Sequence, residues 1–530
     1  MTEGRNTKRR GWLAAACVGG TLSLIAAGCS GTVKTASTGT ASTGTALPTK
    51  PKSASTTSTP TSATPSPPPS LGDLTTYGYG NARSGTDTVD PNIASLSSAP
   101  VWDDSLGAAV YGQPLVYDAT VYVGTENDSI YAIGATTGKV LWRLLVGDAV
   151  STSVIDTAPT LSGGCGDISP LGITGTPVID TATNEMFVAE ETEVGGDNWQ
   201  DIQHWLVAVS LSTHMEIWHR QIDPPGGNDA DDYYIPAEQQ RPALTLLDGR
   251  IYVEFGGLDG DCGQYHGYVV DLPVSGNGAL VSYQVPTQRE GGIWGTGGAF
   301  VSSTGDLYVA TGNGSSNSLS DYDEGNSVVE LSPALMRLGY WAPRNWVQLN
   351  DDDWDLGSAG PVAIPGTSLL FVAGKPAGNG SFGDLMKDSP LGGIGQGAFT
   401  GSLCLGGGAF GAFGADATDV IGTGASSRTY VYAPCGGGTE AVEIDVSAMT
   451  FKQAWSPSTG TPNGSPIVAG GLVWALNWPA GNLYGMNPST GQVAVQRSTD
   501  AVGHFATPAV GDAMLFVPTL NGVEAWTTTS

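Results

Sequence analysis

At 530 residues the chain is long enough for several domains or for one large all-β domain. It carries 21 Lys and Arg against 50 Asp and Glu, a formal net charge of −29, and a field of that sign repels nucleic acid and anionic lipid head groups. Solvated loops account for such an excess, while cationic partners and divalent metal stay admissible.

The chain opens on Arg5, Lys8, Arg9 and Arg10, followed by the apolar run GWLAAACVGGTLSLIAAG that ends at Cys29, the layout of a secretory signal over residues 1–28. IAAGCS resembles a bacterial lipobox, with Ala26 where Leu or Val is usual. Cys29 is then the lipidation site, and the membrane is a partner through that anchor. The alternative is a single membrane-spanning anchor, since the run approaches ~18 apolar residues. Arg9-Arg10 before Gly-Trp-Leu also resembles a twin-arginine export signal, with Lys8 in place of Ser or Thr.

Residues 29–70 are almost entirely Ser, Thr, Ala, Gly and Pro, ending in TPTSATPSPPPS. Too little apolar surface is present to offset the ordering entropy, so a disordered tether is expected. Its composition also suits O-glycosylation. Removing residues 1–29 takes four basic residues and Glu3 away, leaving 17 basic against 49 acidic residues, or −32. Beyond Cys17 and Cys29 the cysteines are Cys165, Cys262, Cys404 and Cys435. Four in an exported domain point to two disulfides, with three possible connectivities.

From about Leu71 the chain repeats. A small residue, usually with a proline, precedes a short apolar strand, then a turn and a strand ending in an aromatic and valine. The units begin at GQPLV (Gly112), GTPVI (Gly175), RPALT (Arg241), GGAFV (Gly297), GPVAI (Gly360), a degenerate GAFGA (Gly411), GSPIV (Gly464) and TPAVG (Thr507). Asp248-Gly249, Gly305-Asp306, Gly470-Gly471 and Gly511-Asp512 supply hairpin turns that tolerate positive φ. Trp142, Trp218, Trp341 and Trp455 fall on an outer strand, where a large ring wedges one sheet against the next. Such repeats predict an all-β, eight-bladed β-propeller over 71–530. The last unit stops at GVEAWTTTS, one strand short. The orphan SSAPVWDDSLG with Trp102 is the expected completion, an N-terminal strand that closes the ring and removes the open edge.

YAIGATTGKVLW with GQPLV…VYVGT resembles the quinoprotein, or pyrroloquinoline-quinone-like, β-propeller repeat superfamily over residues 71–530. TYGYGNARSG, CGDISPLGITGTPV and EGGIWGTGG leading to LYVATGNG resemble an exported bacterial lipoprotein group within it. The resemblance implies two activities: quinone-dependent alcohol dehydrogenase, with pyrroloquinoline quinone and calcium as cofactors, or a scaffold without cofactor. The dehydrogenases typically carry adjacent cysteines and often Cys-x-x-Cys-His for a haem, and neither is in this sequence. Trp294 resembles the tryptophan beneath a bound quinone, against the simpler role of filling the channel.

Residues just before the innermost strands ring the central channel on one face. Gln113, Gln240, Arg241, Glu290, Trp294, Asn463 and His504 are therefore candidates for a ligand funnel, the alternative being a water-filled axis whose polar groups satisfy one another. By the same loop logic Cys404 pairs with Cys435 in blade six, and Cys165 with Cys262 across neighbouring blades. The acidic runs GNDADDYY, SDYDEGNS and NDDDWDLG are read as solvated loops; Asp321, Asp323 and Asn326 only loosely fit a calcium loop. His214 and His219 straddle a strand on opposite faces and form no metal pair. No metal site and no catalytic residue is assigned. The expected function is an extracytoplasmic, membrane-anchored lipoprotein that binds a protein, peptide or saccharide from the envelope or outside it; the alternative is a quinone-dependent oxidoreductase.

Overall fold

The computed structural model describes residues 72–529 apart from 90–91, 159–164, 197, 225–234, 376–380, 405–411 and 457–461. The signal, Cys29, the tether and the acidic run at 227–234 lie outside the described residues.

Eight sheets, antiparallel but for a parallel pair of Arg337–Ala342 with Gly393–Ile394 at the edge of blade four, follow one another along the described chain, so the fold is an eight-bladed all-β propeller. Blade one is typical, with strands Leu115–Tyr117, Thr120–Thr125, Ser129–Gly134 and Val140–Leu145 running from the axis outward. Its second strand is buried at every position because neighbouring blades cover both faces. Its outermost strand alternates between exposed and half-buried, the pattern of one free face. The core is accordingly a ring of clusters between blades. Phe187 and Phe255 join blades two and three, for example, and Tyr432 and Tyr484 join six and seven. In blade eight, Gly522–Thr529 pairs with Met514–Pro518 on one side and with Trp102–Ser105 on the other, Trp102 opposite Ala525 and Asp103 opposite Glu524.

The outer tryptophans dock into the turn of the following blade. Trp102 covers Gly138 of blade one, Trp218 covers Gly276 of blade three, and Trp455 covers Gly491 of blade seven. Their indole Nε1 atoms donate to the carbonyls of Ala135, Val274 and Pro488 at 2.8–3.0 Å. A Cβ on any of these glycines would lie 2.5–2.6 Å from the ring, and each has positive φ, so the turn needs glycine twice over. Blade two departs from the rule: His214, at φ 60, replaces the glycine and stacks on Trp142 at 5.3 Å. That placement, with His219 turned to Glu190 at 3.2 Å, separates the two histidines.

Hairpin chemistry follows the sequence at Asp248-Gly249 (φ 49 and 76) and Gly470-Gly471 (φ 57 and 82). In blade eight the turn sits one residue later than expected, on Asp512-Ala513 (φ 52 and 57). Gly511 ends the strand there, with Gly72 O only 2.4 Å from where its Cβ would be.

The TYGYGNARSG segment is a plug. Leu74 and Thr75 bond to the inner strands of blades one and two, and Asn81 to those of three and four. Ala82, Ser84 and Gly85 accept from Ala363, Thr418 and Val468 in blades five, six and seven, and Tyr79 bonds Val510 in blade eight. Arg83 is the hub, 2% exposed, donating to the carbonyls of Tyr77, Leu244 and Ala299 and to Thr76 and Thr245 hydroxyls at 2.6–3.1 Å. Burial pulls its guanidinium down to about 10, against the neighbouring Glu254. Tyr77 fills the axis itself, packed with Ala243 and Ala415.

Candidate functional site

The funnel lies at the end of the axis away from the plug. Two kinds of loop reach it: those leading into inner strands, and those leaving second strands. The first kind brings Arg241, Trp294, Asp355, Phe413, Asn463, His504 and Phe505, and the second brings Lys375 and Trp478. Together they line a cavity of about 600 Å³.

Its floor is aromatic. Trp294, Phe413 and Phe505 have ring centroids 6.0–6.4 Å apart. Phe505 holds φ 66, a left-handed conformation that a bulky side chain takes only when its surroundings impose it. Two cations sit over these rings. Arg241 Cζ is 5.2 Å from the Phe505 centroid and 5.6 Å from that of Trp294. Lys375 Nζ is 5.7 Å from both Trp294 and Phe413.

The charges are balanced unevenly. Lys375 Nζ contacts Asp355 Oδ2 at 2.5 Å and Asp353 Oδ1 at 3.0 Å. Burial alone would lower the ammonium's pKa, but Asp355 and Asp353 outweigh it and raise it. Burial raises Asp355, which also accepts from Asn313 N at 2.7 Å. Arg241 is 8% exposed and donates to Gln239 Oε1 at 2.6 Å, while its Nε has no hydrogen-bond partner. Burial lowers its pKa, against Asp167 and Asp259. His504 Nε2 lies 3.3 Å from Asp167, yet burial pushes the imidazole down to about 4.

Of the sequence-derived candidates, Arg241, Trp294, Asn463 and His504 line the cavity. The other three do not. Gln113 is buried and holds the plug, accepting from Gly78 N and donating to Pro508 O, both at 2.9 Å. Gln240 turns back to Pro242 O at 2.6 Å and packs against Gly175 of the preceding blade. Glu290 pairs with Arg289 at 2.7 Å just outside the wall, and burial pushes it up to about 7.

Asp355, Lys375, Phe413 and Phe505 are the additions. Asp353 and Asp355 stood in the sequence as NDDDWDLG, an acidic run with no visible counter-charge, because Lys375 arrives from the following hairpin. Applying to cations the loop rule used for the cysteines would have found it. In the run SDYDEGNS, Asp323 accepts from Ser316 N and Gly325 N, so its carboxylate shapes the loop.

The disulfides join Cys165 to Cys262 and Cys404 to Cys435, with Cα atoms 6.0 and 5.2 Å apart. Both staple rim loops. The first fixes the acidic turn carrying Asp259 and Asp261, and the second adjoins Pro434 and Gly436 on the wall.

Residues 88–253 match the family model described as outer membrane protein assembly factor BamB. Among solved structures, the chain is similar to a quinohemoprotein alcohol dehydrogenase from Comamonas testosteroni, at 15% identity and a TM-score of 0.58, covering 86% of this chain and 81% of that one. A europium-containing methanol dehydrogenase gives 14% identity and 0.58, over 86% of this chain and 91% of that one. BamB from Moraxella catarrhalis gives 13% and 0.51, over 82% and 99%. No curated protein matches. At 15% identity or less, these structural likenesses show that the chain shares the β-propeller fold of those proteins.

The funnel does not fit a quinone–metal pair. The Trp294 ring on which a planar cofactor would stack already has both cations near it. All four folded-domain cysteines are taken up by disulfides between distant positions. Asp353 and Asp355 are engaged by Lys375, and among the described residues no three His, Cys or carboxylate ligand atoms converge at the funnel.

Proposed function

We propose that this protein is an extracytoplasmic binding module, tethered through Cys29, whose funnel receives a basic side chain of a protein or peptide. The two disulfides mark an oxidising, extracytoplasmic setting. The observation that carries the reading is Lys375, an ammonium already seated between aromatic faces and carboxylates. The cavity has the chemistry to receive another. Asp167, Asp259, Asp261, Asp353 and Asp355 face Arg241 and Lys375, five carboxylates against two cations with His504 neutral, or −3. Aromatic faces, with four of the five carboxylates on the exposed rim above them, together favour a cation from the ligand.

An array of peptides from envelope proteins, each with free and acetylated lysines, tests this on the full-length protein in detergent. Binding that acetylation abolishes supports the reading; binding indifferent to acetylation, or none, contradicts it. The second reading, a quinone-dependent oxidoreductase, draws on the dehydrogenase-like fold alone, against a funnel whose residues do not fit the cofactor. Saturable pyrroloquinoline quinone binding with reduction of an acceptor dye would favour it instead.

A further inference from the structure

A second site lies at the seam of the ring. Asp103 belongs to Trp102–Ser105, the strand that completes blade eight, and stands directly opposite Glu524 of Gly522–Thr529. Like charges facing one another across an antiparallel pair are destabilising. A third carboxylate, Asp500, arrives from the connection between blades seven and eight, and its backbone N–H donates to Glu524 Oε1 at 2.6 Å.

One oxygen from each of the three carboxylates lies within 4.8 Å of the others. Two oxygens each held about 2.3–2.6 Å from a calcium ion can be no more than about 5 Å apart, so this spread suits one ion. Among the described residues, the charges acting on Asp103 and Glu524 are those of their carboxylate neighbours. Glu524 is 2% exposed and brings one carboxylate oxygen to the group, while its Oε2 is buried with no hydrogen-bond partner. Asp103 and Asp500 are exposed and leave room for waters to complete a shell of six to eight oxygens.

We propose that Asp103, Asp500 and Glu524 bind a calcium-class divalent cation that clamps the closing strand to the last two blades. An all-oxygen, carboxylate-rich set selects calcium over softer metals. The position gives the ion a task. Trp102–Ser105 is the strand at which the ring is held shut, and one ion there joins residues near both ends of the propeller's chain. Calcium outside the cytoplasm would stabilise closure after export.

The test is calcium titration of the full-length protein in detergent, by calorimetry and by hydrogen exchange. At free calcium ten times the measured Kd, exchange of the 103–105 amides slows about tenfold, because local opening must first release the ion. Asp103→Asn removes one bound calcium and abolishes the slowing. Without calcium, the same variant exchanges no faster than the wild type, since a like charge opposite Glu524 is gone. Unchanged calcium stoichiometry in Asp103→Asn would overturn the proposal. So would equal slowing in the variant, or the same slowing with sodium chloride at matched ionic strength.

Discussion

Lys375 shows how one side chain organises the funnel. It neutralises Asp355, which is 6% exposed, and places its ammonium against Trp294 and Phe413. Replacing it with an apolar residue leaves a buried carboxylate without its partner. Lys375→Met should therefore cost about 3–5 kcal/mol in urea unfolding. Lys375→Met with Asp355→Asn should recover most of that, because no charge is then stranded. A loss below about 1 kcal/mol in the single variant would show that the pair is solvated. This residue marks a limit of sequence reading. Arg241, Trp294, Asn463 and His504 were legible because each precedes an inner strand. Lys375 follows the second strand of blade five, and the antiparallel pairing of that strand with the first sets it beside Asp355, which no local run of sequence displays.

At the scale of elements, the repeat was legible and the plug was not. Glycine at the Thr-Gly turn and tryptophan on the outer strand recur in sequence, and the fold makes them touch across blades. TYGYGNARSG was recognisable as a motif, but its length and composition do not reveal that, with Leu74 and Thr75 before it, it bonds inner strands of all eight blades. For the same reason Gln113 was read as a funnel residue when its partners are Gly78 and Pro508. Arg83 makes the plug one cooperative unit, with five hydrogen bonds from a nearly inaccessible guanidinium. Arg83→Ala should cost about 3–5 kcal/mol, since it leaves the buried carbonyls of Tyr77, Leu244 and Ala299 without their donor. Limited proteolysis should then cut within residues 77–89. A wild-type unfolding midpoint and an uncut segment would mean that the arm is held by its backbone bonds alone.

The whole molecule buries an unusual number of acids, and their titration gives it a direction with pH. Burial pushes Glu126, Glu254 and Asp416 up to about 8 and Asp384 up to about 7. In the unfolded chain such groups lose their proton near pH 4–4.5. Above that pH the folded state holds protons that the unfolded state has released. Stability from these four groups is full below about pH 4.5 and is lost as pH rises toward 8. His504 acts the other way, costing stability as pH falls from about 6.5 to 4, but it is one group against four. Urea midpoints should be higher at pH 5 than at pH 8, and Asp416→Asn should flatten the difference. A midpoint that rises with pH would mean these carboxyls ionise in place.

The funnel's net negative charge decides what it receives. The most direct measurement is the affinity of the full-length protein for a lysine-bearing peptide chosen from the array, compared with an Asp259→Asn and Asp261→Asn double variant. Both aspartates sit on the exposed rim that the Cys165–Cys262 disulfide holds in place. Loss of two rim charges should weaken binding about tenfold, roughly 1.4 kcal/mol, and the wild-type affinity should fall with added salt. Equal affinity in the variant, unaffected by salt, would contradict the account and leave the funnel without the role assigned to it.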